Sequence, residues 1–112
     1  MDTKEYQTEV KRTMGDHNNG FNLILGLVGE AGEVAELIKK LNFYGGSDKK
    51  GVITTARMMN ELGDVLWYLT AMIESYGMTL EQCMEMNVKK LRIRFPNGFT
   101  TQDANAQRDG QS

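Results

Sequence analysis

The chain has 112 residues, 40% hydrophobic and 25% charged, with a formal net charge of −2. That profile fits one soluble globular domain and excludes functions built on a strongly basic surface, such as binding a nucleic-acid polymer. A single cysteine, Cys83, and a single histidine, His17, exclude an intrachain disulfide, a cysteine-based zinc site and a multi-histidine centre, so any bound metal must be a hard cation held by carboxylates.

Helical periodicity dominates, and the only proline is Pro96. The first predicted helix covers about residues 3–14, with Tyr6, Val10 and Met14 four apart on one stripe. The polar run from Gly15 to Gly20 interrupts it, and His17 reads there as a loop residue. A second helix over roughly 21–42 carries Ile24, Leu27, Val28, Ala31, Val34, Ala35, Ile38 and Leu41 at spacings of three and four. The stretch from Gly45 to Gly51 is expected as a loop. A third helix is predicted over about 52–76, containing Met58, Met59, Leu62, Val65, Leu66, Leu69, Met72 and Ile73, with Gly77 as its stop.

The fourth helix has the clearest start, because Thr79 and Gln82 form a capping-box pattern. Leu80, Cys83, Met84, Val88 and Leu91 give it an apolar face, on which Cys83 reads as a small buried residue, and Pro96-Asn97-Gly98 ends it. The segment 100–112 lacks large apolar residues and is expected to be a disordered tail. The fold expected is therefore all-α, a single antiparallel four-helix bundle-like domain over 1–99. No apolar run approaches the roughly 18 residues of a membrane span. The acidic N-terminus lacks the apolar core of a signal peptide. The expectation is a cytoplasmic protein with no membrane partner.

Two acidic pairs carry the functional signal. Glu30 and Glu33 are three apart on the second helix, as are Glu61 and Asp64 on the third, so each pair projects two carboxylates in nearly one direction. Glu33 lies about 13 Å from the expected end of its helix, and Glu61 about 13 Å from the expected start of the next. In an antiparallel hairpin the two sets then reach the same height. Both lie in otherwise apolar sequence, where converging carboxylates repel and resist ionisation unless a cation joins them. Mg²⁺, or Mn²⁺ in its place, suits oxygen ligands and meets substrate phosphates. A di-iron carboxylate bundle needs Glu-x-x-His, which neither pair supplies.

Glu30-x-x-Glu33 followed by Glu61-x-x-Asp64 resembles the metal-binding signature of the all-α nucleoside triphosphate pyrophosphohydrolases, the MazG-like group with the dimeric dUTPases and deoxycytidine triphosphate pyrophosphatases. The resemblance extends through Asn22–Glu36, Glu61–Leu69 and Asn87–Pro96, covering roughly 17–99. It implies Mg²⁺-dependent hydrolysis between the α- and β-phosphates, giving a nucleoside monophosphate and pyrophosphate. It also implies a homo-oligomer, a dimer or, in preference, a tetramer built as a dimer of dimers. By matched position Glu30, Glu33, Glu61 and Asp64 are the metal ligands, with Glu33 or Glu30 accepting the proton of the attacking water. Tyr68, on the face of Asp64, is implied to contact base or sugar, and Asn22 opens the matched second helix as a further substrate contact.

The deoxycytidine enzymes carry His-x-Pro-Arg-Asn before the second helix, where this chain has His17-Asn-Asn-Gly-Phe-Asn22. Lys40 stands where those enzymes have a tryptophan. The base is therefore left open.

Asn87, Lys90 and Arg94 form one stripe of the fourth helix and suit a triphosphate. Gly26, Gly29 and Gly32 each weaken the helix by roughly 1 kcal/mol relative to alanine, which a close helix–helix approach would offset. Trp67 reads as a core or interface residue, and the methionines as adaptable filler. Two alternatives stand beside this reading. One is a non-catalytic helical oligomerisation module with incidental acidic stripes; the other is an enzyme narrowed to a single or modified deoxynucleotide such as dCTP or dUTP.

Overall fold

The computed structural model describes residues 1–16 and 19–106, and His17 and the segment 107–112 lie outside the described residues. Five helices follow in order: α1 (Thr3–Met14), α2 (Gly20–Phe43), α3 (Thr55–Ser75), α4 (Leu80–Arg94) and α5 (Thr101–Ala106). Between α2 and α3 lies a small antiparallel hairpin, β1 (Ser47–Asp48) and β2 (Gly51–Val52). The fold is all-α. No helix among the described residues is long and apolar enough to cross a membrane.

Side-chain caps set most of the helix starts. Asp2 accepts from the Glu5 amide at 2.8 Å while Glu5 accepts from the Asp2 amide at 3.3 Å, a reciprocal pair that opens α1. Asn19 caps α2 through the Phe21 amide, and Thr54 caps α3 through the Arg57 amide. Thr79 and Gln82 form the expected box at the start of α4.

The longest pairing runs between α2 and α3, with α1 packed on α3 and α4 touching α1 and α3 but not α2. Val10 and Met14 of α1, Leu23 of α2 and Ala71 of α3 are the buried cluster, with Tyr6, Trp67, Tyr68 and Met72 against it. The Trp67 indole donates to Thr13 Oγ1 at 2.8 Å, which makes Trp67 a packing residue that ties α3 to α1.

Gln7 joins three segments at once. Its amide donates to Glu74 Oε1 and to the Met78 carbonyl, each at 3.0 Å, and its oxygen accepts from the Leu80 amide at 2.6 Å. The side chain is buried, so these bonds have little water to replace them. Gln7→Ala should destabilise the fold by about 1–3 kcal/mol, because polar groups at the α3–α4 turn lose their partner. Thermal unfolding checks this, and an unchanged melting temperature would show that solvent substitutes for the amide.

Three expectations are corrected. The loop after α2 contains the hairpin, with Gly45, Gly46 and Gly51 at φ of 78°, 76° and 111°, which L side chains rarely adopt. The start of the supposed tail is helical: Thr100 caps α5 by accepting from the Asp103 amide at 3.0 Å, and Asp103 is buried. Cys83 is exposed, on a helix that buries none of its residues within the protomer.

The protomer is sparse for its length. Its radius of gyration is 17.2 Å, against about 13 Å for a compact domain of this size. Phe21, Ile24, Leu25 and Val28 form one exposed face of α2, at 79, 41, 67 and 62% exposure.

Candidate functional site

Three carboxylates meet on the α2–α3 seam. Glu30, Glu61 and Asp64 each place an oxygen so that all three lie within 4.8 Å of one another. The two helices supply them for the reason the sequence suggests: i, i+3 spacing points Glu61 and Asp64 toward the same neighbour. Burial, first, and then the negative charges of Asp64, Glu61 and Glu33 raise the pKa of Glu30 above the usual carboxylate range. The charge of Glu61 also acts on the Arg57 guanidinium, and all three donors are hard oxygens. The donor set fits a small divalent cation.

Glu33 is not one of the three. It is exposed, and close enough only to contribute to the charge at Glu30. The register explains the difference. Gly46 folds back to donate to the Lys40 carbonyl at 3.0 Å, and the hairpin packs beside α2. Thr55, not Val52, begins α3. The chain thus doubles back along α2 before α3 starts, and the residue that meets Glu61 and Asp64 is Glu30, one turn nearer the N-terminus than simple helix lengths imply.

The other predicted contacts are spread more widely. Tyr68 is half-buried, with its ring against Gly26 of α2 and packed nearly perpendicular to Trp67, ring centroids 5.0 Å apart. Asn22 is exposed on the first turn of α2. Asn87 and Lys90 are exposed on α4, which does not touch α2, and Arg94 is half-buried near its end. The basic stripe is therefore not brought to the acids within one protomer.

Two residues near the acids were not singled out by sequence. Burial, and then the charge of Asp64, raises the pKa of the Tyr6 phenol, which sets α1 beside the cluster. Nothing separates Tyr6 from an ordinary core position in the sequence. Arg57, one turn before Glu61, is bound to the hairpin. Its guanidinium donates to Asp48 Oδ2 at 2.6 Å and Oδ1 at 3.0 Å, and to the Gly51 and Val52 carbonyls at 3.2 Å each. The Arg57 contact holds the Asp48 carboxyl down at about 2.

The sequence profile of the MazG nucleotide pyrophosphohydrolase domain matches residues 19–99, the stretch that contains all four predicted acids. The chain belongs to the MazG family. Gene 37 protein of Mycobacterium phage L5 is 39% identical over 77 residues, 66% of this chain and 64% of that protein. The chain thus matches less than two thirds of the length of this relative. YpjD of Bacillus subtilis (strain 168) is 28% identical over 102 residues, 89% of this chain and 92% of its own. No solved structure matches. Family membership gives the chain a MazG nucleotide pyrophosphohydrolase domain over residues 19–99, and the three-carboxylate cluster inside it could hold a divalent metal.

Proposed function

We propose that the chain is a Mg²⁺-dependent nucleoside triphosphate pyrophosphohydrolase, with Mn²⁺ able to substitute, that cleaves between the α- and β-phosphates. The observation that carries this reading is the convergence of Glu30, Glu61 and Asp64 on the α2–α3 seam, with the pKa of the Glu30 carboxyl raised by burial and by its acidic neighbours, inside a MazG domain. These three would hold the ion, with Glu33, one turn along α2, as the fourth proposed ligand. When bound, the ion supplies Lewis-acid polarisation and charge neutralisation at the phosphates. Glu30, a stronger base than an ordinary carboxylate because its pKa is raised, or Glu33, exposed one turn along the same helix, would take a proton from the attacking water. Asn22, Tyr68, Asn87, Lys90 and Arg94 remain the proposed substrate contacts. Of these, Asn87, Lys90 and Arg94 reach the acids only if a second copy brings α4 to them. The compartment proposed is the cytoplasm, where nucleoside triphosphates are held.

Self-association is part of the reading. The exposed apolar face of α2, and Met84, Val88 and Leu91 at 47, 40 and 42% exposure on α4, are contiguous helical surfaces of the kind that mark an interface. A four-helix bundle completed by a second copy, as a dimer or a dimer of dimers, would cover it.

Pyrophosphate release from the ribo- and deoxyribonucleoside triphosphates, with Mg²⁺, with Mn²⁺ and with excess chelator, tests the activity and exposes any narrowing to one base. Turnover should require the metal, and full turnover in chelator would sink the site assignment. Light scattering should give a multiple of the 12.6 kDa chain mass. A strictly monomeric, fully active protein at micromolar concentration would contradict the assembly. An oligomer that neither binds Mg²⁺ nor releases pyrophosphate would instead favour the oligomerisation module.

A further inference from the structure

At the hairpin end of the α2–α3 seam the surface changes sign. Lys39 and Lys40 of α2, Lys49 and Lys50 of the hairpin turn, Tyr44 and Ser47 line an open groove of about 690 Å³. Two carboxylates share it, Glu36 and Asp48. Asp48 is neutralised by Arg57 at 2.6 Å. Glu36 reaches Lys40 at only 3.9 Å, with its side chain 51% exposed, a pair that contributes little. With Arg57 included, five cations face two carboxylates, a local surplus of three positive charges in a chain whose net charge is −2. No ion pair among the described residues engages Lys49 or Lys50.

The groove is held in shape before any ligand arrives. Arg57 bonds four acceptors on the hairpin. The Lys50 amide donates to Asp48 Oδ1 at 2.9 Å, and the amide of buried Ile53 to the Gly46 carbonyl at 2.9 Å. Lys39 lies over the Tyr44 ring, 5.6 Å from its centroid, which keeps that ammonium at the groove wall. Lysines on a fixed turn bind an anion without the cost of ordering a loop.

The groove also continues the seam that holds the acids. Arg57 precedes Glu61 by one turn, about 6 Å along α3, and Lys40 follows Glu30 by about 15 Å along α2, a gap that the length of its own side chain and of a triphosphate shortens. One end of the seam calls for a cation, and the other for an anion of several charges.

We propose that this groove is a metal-independent anion subsite for polyphosphate chains, occupied in the working enzyme by the terminal phosphates of the triphosphate. The substrate assignment rests on the hydrolase reading, whereas the anion site itself does not. Compact ammonium groups bind phosphate as point charges, and a threefold surplus favours a multiply charged chain over a lone carboxylate.

The test begins with full-length protein stripped of divalent cations on a chelating resin and titrated calorimetrically with inorganic tripolyphosphate. Binding should saturate, weaken with added salt and fall about tenfold or more in K49A/K50A, since charge-assisted contacts are lost. It should persist or strengthen in E61Q/D64N. Both lysines are exposed, so the melting temperature of K49A/K50A should match the parent. In Mg²⁺-supported hydrolysis the same variant should raise KM about tenfold with kcat little changed, the pattern of lost binding common to ground and transition states. No saturable binding to the stripped protein overturns the proposal, as does binding that E61Q/D64N abolishes and K49A/K50A spares. If KM is unchanged while inhibition by added pyrophosphate weakens, the groove serves the departing product and the substrate assignment is overturned. If the protein binds tripolyphosphate through these lysines yet hydrolyses nothing, the hydrolase reading fails and the anion site stands.

Discussion

Glu61→Gln and Asp64→Asn, made singly, should each reduce pyrophosphate release by orders of magnitude while leaving the metal-free protein as stable as the parent or more so. Each exchange keeps the volume of the side chain and removes one charged ligand from a set whose oxygens lie within 4.8 Å. Losing the ligand weakens charge neutralisation at the phosphates, which acts in the transition state and so appears in kcat. Losing the charge relieves Glu30, whose pKa is raised by burial first and by Asp64 next. The sign of the pH dependence follows. A carboxyl with a raised pKa in the fold holds its proton better folded than unfolded. The metal-free protein should therefore lose stability as pH rises from the unfolded-state value of Glu30 through its folded value.

Asp64→Asn should flatten that dependence, because the largest charge effect on Glu30 is gone. Melting temperatures measured across this window, with and without Mg²⁺, check it. If both amide variants kept normal turnover and the normal response to Mg²⁺, the acids would be surface decoration and the oligomerisation module would be the better reading.

Gly26→Ala should destabilise the fold even though alanine is the better helix former. A Cβ built on Gly26 would stand 2.6 Å from Tyr68 Cδ1 and closer still to Cε1 and Cζ. The ring cannot simply turn away, since it packs nearly perpendicular to Trp67 and the Trp67 indole is hydrogen-bonded to Thr13. Overpacking of this kind typically costs about 1–3 kcal/mol, more than the roughly 1 kcal/mol that alanine contributes to helix propensity. The melting temperature should fall, and the Tyr68 ring should shift away from α2. Gly29 and Gly32 have nothing within 4 Å of a built Cβ. Alanine there should raise stability by up to about 1 kcal/mol. Destabilisation at Gly29 together with a lower assembly mass would place that glycine against another copy. A Gly26→Ala protein as stable as its parent would show that α2 and α3 can separate at this point without penalty.

The helices were legible because each combines an apolar stripe with a local stop or cap, and both signals act within a few residues. Thr79 and Gln82 are the clearest case. The acidic pairs were legible as pairs, since i, i+3 spacing fixes a shared face whatever the rest of the chain does. Which carboxylates converge was not. That depends on how far the hairpin folds back along α2, and the fold-back depends on three glycines at positive φ and on Arg57 reaching Asp48. Contacts between residues far apart in sequence were hidden for the same reason. Gln7 finds its partners at positions 74, 78 and 80, and no local pattern encodes that meeting. The short α5 was missed because its weak composition is offset by one capping threonine and a buried aspartate. Gly26 illustrates the limit within a pattern: three glycines recur every third residue, and only this one carries a side chain from another helix within the protomer.

The family match begins at residue 19, yet α1 ends at Met14 and supplies Val10 and Met14, half of the buried cluster. A boundary drawn at the edge of the matched stretch would therefore cut through a core. Leu23 and Ala71, both at 0% exposure, would open to water on the side α1 now covers, and the indole of Trp67 would lose its acceptor. A fragment trimmed to residues 19–99 for expression should be poorly soluble, while one that keeps the first sixteen residues should not be. The stretch that matches the family is shorter than the stretch that supplies the buried cluster.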